Sequence, residues 1–220
     1  MISTRDLSRL PSIDNLKKLT QSLALLDAIV QPNWEYRYYS FNSKWNANEQ
    51  MASMRNGQGD SWYCLFTNSG ATLKGFDHES IMSPWNREPV HVWKGVLDEL
   101  PETFSLFAAE PAFSMGDTTF CIWRTPEDVA WRTGHVVFPD GADPDGSEPM
   151  LSMLDGRPST YQEWAEGYYE HKISLAAVTS VYNHEALTDA IVRGLNPSIA
   201  LSDLSKDIEE IGYPTDLLKS

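Results

Sequence analysis

From Ser12 the chain places Leu16, Leu19, Leu23, Leu26 and Val30 at spacings that alternate between three and four, one stripe of an α-helix. Leu25 and Ile29 widen the stripe, which favours a helix laid on a core over the narrow seam of a coiled coil. Ser12 supplies an N-cap and Pro32 a stop just beyond the end. The texture then changes to short aromatic and β-branched runs. Trp34 to Tyr39 alternates, with Trp34, Tyr36 and Tyr38 on one face of an expected strand and Glu35, Arg37 and Tyr39 on the other. Gln50 to Arg55, Ser61 to Thr67 and Ala71 to Asp77 follow as strands, turned by Asn56 to Asp60 and by Asn68-Ser69-Gly70. Connections this short predict an antiparallel meander, because parallel strands need much longer crossovers.

Pro89 to Leu100 returns to helical spacing. Val92, Trp93, Val96, Leu97 and Leu100 share one face of the expected helix, and His91, Lys94 and Asp98 share the opposite one. Thr118 to Arg124 reads as a strand, paired with Ala130 to Phe138 through a turn near Pro126. The acidic loop Pro139 to Gly146 is the best boundary in the chain. Beyond it helices are expected over Arg157 to Lys172, with Thr160 and Glu163 at capping-box spacing, over His184 to Leu195, and from Ser202 to Gly212. Ile173 to Tyr182 is ambiguous by periodicity. The pattern predicts an α+β fold: an N-terminal helix, an antiparallel β-meander with a packed helix, and a mainly helical C-terminal third. Residues 1–138 form the helix-plus-sheet core, 139–150 the acidic loop, and 151–220 a helical part packed on the same domain.

Charge changes the picture of partners. The formal net charge is −14, and it is uneven: residues 1–110 carry 10 basic and 13 acidic side chains, residues 111–220 carry 7 and 18. Such a field repels phosphate backbones and anionic membranes, so neither nucleic acid nor membrane is an expected partner. No apolar run reaches the ~20 residues needed to span a bilayer, and Met1 to Pro11 lacks the apolar region of a signal peptide. The expected setting is cytoplasmic. Cys64 and Cys121 both lie inside apolar strand-like runs and read as reduced, buried thiols. The eight tryptophans fall mostly within expected strands and apolar helix faces, so they speak chiefly of the core.

The stretches YRYYSFNSKW, MASMRNGQGD, GFDHES, DTTFCIWR and DGRPSTYQEWAEGYY resemble a group of uncharacterised bacterial cytosolic proteins of similar length. The resemblance spans most of the chain and implies a bacterial, cytosolic setting. It implies no activity, cofactor or catalytic residue.

The chemistry-bearing motifs are short. His78-Glu79 and His184-Glu185 lack the second histidine that zinc peptidases place one helical turn on. Asp77, His78 and Glu79 are dense in ligating groups, but in an extended strand Asp77 and Glu79 point to one face and His78 to the other. They chelate together only at a bend, and no metal is expected. In the loop Asp140 to Gly146, setting Gly146 at position 6 of an EF-hand puts Gly141 at position 1 and Ser152 at position 12, so the pattern fails at both ends. Gly59-Asp60-Ser61 starts like a GDSL-type hydrolase, yet no Asp-x-x-His follows, and there is no Gly-x-Ser-x-Gly elbow or Walker-type loop. No catalytic residue and no cofactor is assigned.

Two late helices carry a different signal. Glu163, Glu166 and Glu170 fall on one face, opposite Tyr161, Trp164, Ala165 and Tyr168; Asp203, Asp207 and Glu210 line up opposite Leu204, Ile208 and Ile211. Read plainly these are solvated faces. Read for function, they dock a basic protein partner and steer its approach. The favoured expectation is a non-catalytic, acidic, cytosolic binding protein, one form of which is immunity-type binding of a basic protein such as a nuclease. The alternative is a small enzyme or small-ligand-binding domain using polar groups at the strand ends: Arg55, Asp60, Asp77, His78 and Glu79. That alternative requires Asp60, Asp77 and His78 to converge on a concave pocket.

Overall fold

The computed structural model describes residues 1–215. Helix α1 spans Ile13–Val30, and the Ser12 hydroxyl accepts from the Asn15 amide at its start. Strands β1 (Tyr39–Asn46), β2 (Glu49–Arg55), β3 (Ser61–Thr67), β4 (Gly70–Phe76), β5 (Phe120–Arg124) and β6 (Arg132–Thr133) form one antiparallel sheet in sequence order. The helices that follow β4 are α2 (Ser105–Ala109), α3 (Ser147–Leu151), α4 (Pro158–Tyr169), α5 (Leu175–Tyr182), α6 (Asp189–Leu195) and α7 (Ser205–Ile211). The fold is α+β, as the alternation of patterns predicts.

The sheet is buried on both faces over β3 to β5. One face, carrying Phe41, Ala52, Trp62, Cys64, Leu73 and Ile122, packs with α1 and the late helices. The long excursion between β4 and β5 folds Met82, Val96, Phe104, Phe107 and Phe113 onto the other face, against Leu65, Cys121 and Trp123. The two cysteines therefore sit in different cores, and burial pushes both thiols up, Cys121 to about 12. Over β1 and β2 this second face stays open, as a groove lined by Trp34, Asn42, Trp45, Met51, Arg55 and Tyr63.

Asp27 and Lys74 are buried charges in this framework. Asp27, 0 % exposed on α1, accepts from the amides of Tyr38 and Tyr39 at 2.8 Å each and from the Tyr161 hydroxyl at 2.8 Å, tying α1 to the start of β1 and to α4. Lys74 on β4 is 1 % exposed, and its Nζ donates to the Asp117 carbonyl at 2.6 Å and lies over the Tyr63 ring.

Four expected elements differ. Trp34–Tyr36 is a 3-10 turn rather than strand, with Asn33 capping Glu35, and pairing begins only at Tyr39. Arg37 is drawn out of any strand by bonds from its guanidinium to the carbonyls of Gln31 and Pro32 and to Asp207. Pro89 to Leu100 is not a helix: Gly95 turns through φ +95°, and its amide is held by Asp98. Its apolar residues still reach the second core, so the spacing correctly reported burial and misreported backbone. Only Arg132–Thr133 of the expected strand 130–138 pairs with β5. The expected helix over 184–195 is shorter, with Thr188 capping Ile191, and the ambiguous stretch 173–182 is helical from Leu175. Among the described residues no helix is long and apolar enough to cross a membrane.

Candidate functional site

The β3–β4 hairpin closes with a two-residue turn, Asn68-Ser69, and its register pairs Ser61 with Phe76. One step further along both chains stand Asp60 and Asp77, so the hairpin itself sets two carboxylates opposite each other. The strand ends at Phe76, and Asp77 bends the chain: its Oδ1 accepts the amides of Glu79 and Ser80 at 2.9 and 3.0 Å. That bend turns the His78 ring toward Asp60, with Nδ1 to Oδ1 at 2.7 Å, while the His78 amide donates to the same oxygen. The expectation that these side chains diverge along an extended strand is thus overturned. Asp60, Asp77 and His78 each bring one ligating atom within 4.8 Å of the others.

The remaining two residues of the expected pocket lie elsewhere. Glu79 is exposed at the rim, 3.9 Å from His78 Nε2. Arg55 lies over the Trp34 ring in the groove on the second sheet face, which Glu210 also lines.

Asp60 and Asp77 line a cleft of about 180 Å³ where the strand ends meet the helical third. Tyr38, Tyr39, Met54 and Asn56 form its sheet side; Pro149, Met150, Ser152, Met153 and Trp164 form its helical side. Burial raises the Asp77 carboxyl above its ordinary value, and the neighbouring Asp60 charge adds to the effect. Burial also opposes ionisation of Asp60, but bonds from His78 and Asn56 outweigh it and hold the carboxyl below its ordinary value. The bond to Asp60 raises the His78 ring. Gly146, at φ +70°, lies so close that a Cβ there would meet Asp77 Oδ2 at 2.0 Å; the acidic loop closes over this carboxylate from behind.

That loop does its own structural work. Asp143 accepts the Glu148 amide at 3.0 Å, and Asp145 accepts the Ser147 amide at 3.1 Å and the Thr4 hydroxyl. Their spacing serves the first amides of α3 and anchors the N-terminal segment.

The acidic helix faces are broken up. Helix α4 ends at Tyr169, and Glu170 stands past it in a left-handed C-cap, φ +57°. The expected capping box does not form, because the Thr160 hydroxyl donates to Asp155 instead. Glu166 is held by Lys172 at 2.8 Å and by the Ile173 amide. Asp207 pairs with Arg37 at 2.5 Å, and Asp203 accepts the Ala200 amide. Glu163, Glu170 and Glu210 are exposed. Of these, Glu163 precedes Trp164, the aromatic wall of the cleft, which stacks on the half-exposed Tyr168 with rings 5.5 Å apart.

Sequence reasoning names Asp60, Asp77 and His78 but misses Asn56, Tyr38 and Trp164. The hairpin register is the signal that unites the two carboxylates. No protein-family model, curated protein or solved structure matches the chain.

Chemically the site sets two carboxylates beside aromatic side chains and methionines. The cleft is smaller than the roughly 300–1,000 Å³ of ordinary small-molecule sites. Asp60 and His78 form a carboxylate–imidazole pair of the kind that serves a general base. Among the described residues, however, no hydroxyl or thiol is hydrogen-bonded to His78 Nε2 to act as a nucleophile.

Proposed function

We propose that this chain is a non-catalytic acidic binding protein whose partner is a basic protein, with immunity-type masking of a basic enzyme as its concrete form. The observation that carries this reading is the cleft at the sheet–helix junction, lined by two carboxylates and by Tyr38, Tyr39 and Trp164, with the exposed Glu163 preceding Trp164 on α4. The excess of 18 acidic over 7 basic side chains in residues 111–220 supplies the long-range field that gathers such a partner. The small volume of the cleft, about 180 Å³, supports the reading as a site for one side chain.

The test separates rim charge from folding. Glu163→Lys with Glu170→Lys is expected to weaken binding of an arginine decapeptide by about 5- to 30-fold at low salt, with the thermal midpoint unchanged, since exposed charges are worth roughly 0–1 kcal/mol each and are screened by salt. Glu166 is left alone because it holds the Ile173 amide. Titration calorimetry at two ionic strengths reads the effect. Equal affinity for the double variant and the parent protein would count decisively against the reading.

A further inference from the structure

We infer that the cleft between the strand ends and α4 receives a single arginine side chain of the basic partner, with the guanidinium against Asp77 and the stem between Tyr38, Trp164 and the methionines. This deepens the proposed function and rests on it. The first support is the state of the carboxylates. Asp60 Oδ1 accepts both the amide and the ring of His78, and Oδ2 accepts Asn56 Nδ2 at 2.6 Å. Asp77 Oδ1 holds two amides, whereas Oδ2 accepts no hydrogen bond among the described residues. Asp77, a lining residue, thus has one carboxylate oxygen without a donor, packed beside Gly146, and a guanidinium presents several donors in a fixed fork.

The walls argue for an organic cation rather than a metal ion. The His78 nitrogen that faces the carboxylates is committed to Asp60, and the ring does not line the cleft. What lines it is Tyr38 and Trp164, surfaces on which a planar cation stacks, and Met54, Met150 and Met153, whose unbranched stems adapt to an inserted chain. Tyr38 and Trp164 are already fixed edge-to-face at 4.9 Å, so the wall stands before a ligand arrives. A volume of about 180 Å³ suits one side chain. Arginine is preferred over lysine because a planar fork can both stack and bond bidentately, whereas an ammonium is a strongly hydrated point charge.

The probe is N-acetyl-arginine amide, followed by amide and indole shifts in two-dimensional NMR, with N-acetyl-lysine amide, zinc chloride and the arginine decapeptide as separate arms. The expected result is saturable shifts at Asn56, Asp60, Asp77 and Trp164, with a dissociation constant of about 1 mM for so small a ligand and clearly weaker binding of the lysine compound. Asp77→Asn keeps the Oδ1 acceptor that shapes the bend, and it is expected to abolish these shifts while leaving decapeptide binding at Glu163 and Glu170 largely in place. Shifts confined to the outer acidic residues would overturn the pocket and leave the surface reading standing. Cleft shifts with zinc but not with arginine amide would overturn it in favour of a cation site. Loss of decapeptide binding altogether falls on the proposed function instead. If Asp77→Asn does not fold, the shift map of the parent protein decides between these outcomes.

Discussion

Replacing Asp27 with alanine is expected to lower the unfolding free energy by about 2–4 kcal/mol, because the change strands the amides of Tyr38 and Tyr39 and the hydroxyl of Tyr161 in the core, at roughly 1–3 kcal/mol for each unsatisfied buried group. Relief from the carboxylate's own burial offsets part of that loss. Burial pushes the Asp27 carboxyl up to about 6 against the partial opposition of its three hydrogen bonds. The native state therefore holds a proton that the unfolded chain releases, between an unfolded pKa near 3.8 and about 6. Over that window stability falls as pH rises, and above it both states are ionised and the loss is complete. Asp27→Asn keeps an acceptor of the same size without the charge. Relative to that variant, the parent protein is expected to gain about 2–3 kcal/mol on going from pH 7 to pH 4. Urea melts of both proteins at the two pH values check this. A difference that stays constant with pH would show that Asp27 is ionised throughout.

Lys74 gives the complementary result at alkaline pH. Burial depresses its ammonium to about 8, with Asp117 and Cys121 opposing the effect. The folded chain releases a proton that the unfolded chain keeps up to about 10.5, so stability rises with pH through that interval. Relative to Lys74→Met, which fills the same space without a charge, the parent protein is expected to gain about 2–3 kcal/mol between pH 7 and pH 10. The methionine variant leaves the carbonyls of Asp117 and Ser114 without the ammonium, which sets a constant offset and not the slope. Parallel stabilities across this range would mean that Lys74 keeps its ordinary pKa in the fold.

Much of the framework is legible in the chain because it is local. The alternating three-and-four spacing with Ser12 ahead of it produces α1, and the turn residues at 56–60 and 68–70 produce three consecutive strands. Misreadings arise where a distant group decides the backbone. Tyr38 looks like the middle of a strand, but Asp27 takes its amide. Val92 to Leu100 keeps helical spacing, but Gly95 packs so tightly on His135 that a Cβ would meet its carbonyl oxygen at 2.3 Å. The same division runs through the site. Asp60 and Asp77 follow from one hairpin's register, whereas Trp164 and Met153 reach the cleft only through the docking of the late helices, which no local pattern encodes. The acidic stripes were visible as spacing, but their partners, Arg37 for Asp207 and Lys172 for Glu166, were not.

The connections of α1 also order events in time. Its Gln21 side chain donates to the carbonyl of Ile211, its Ser22 hydroxyl to that of Val181, and Asn196 donates to Ile29. A chain leaving the ribosome at about 5–20 residues per second presents this apolar helix roughly 10–40 s before its last partner exists. The meander can zip hairpin by hairpin during that interval and cover one side of α1. The other side waits for Val181, Asn196 and Ile211. Helix α1 is thus sealed on this side only by residues 159 to 190 positions downstream of it.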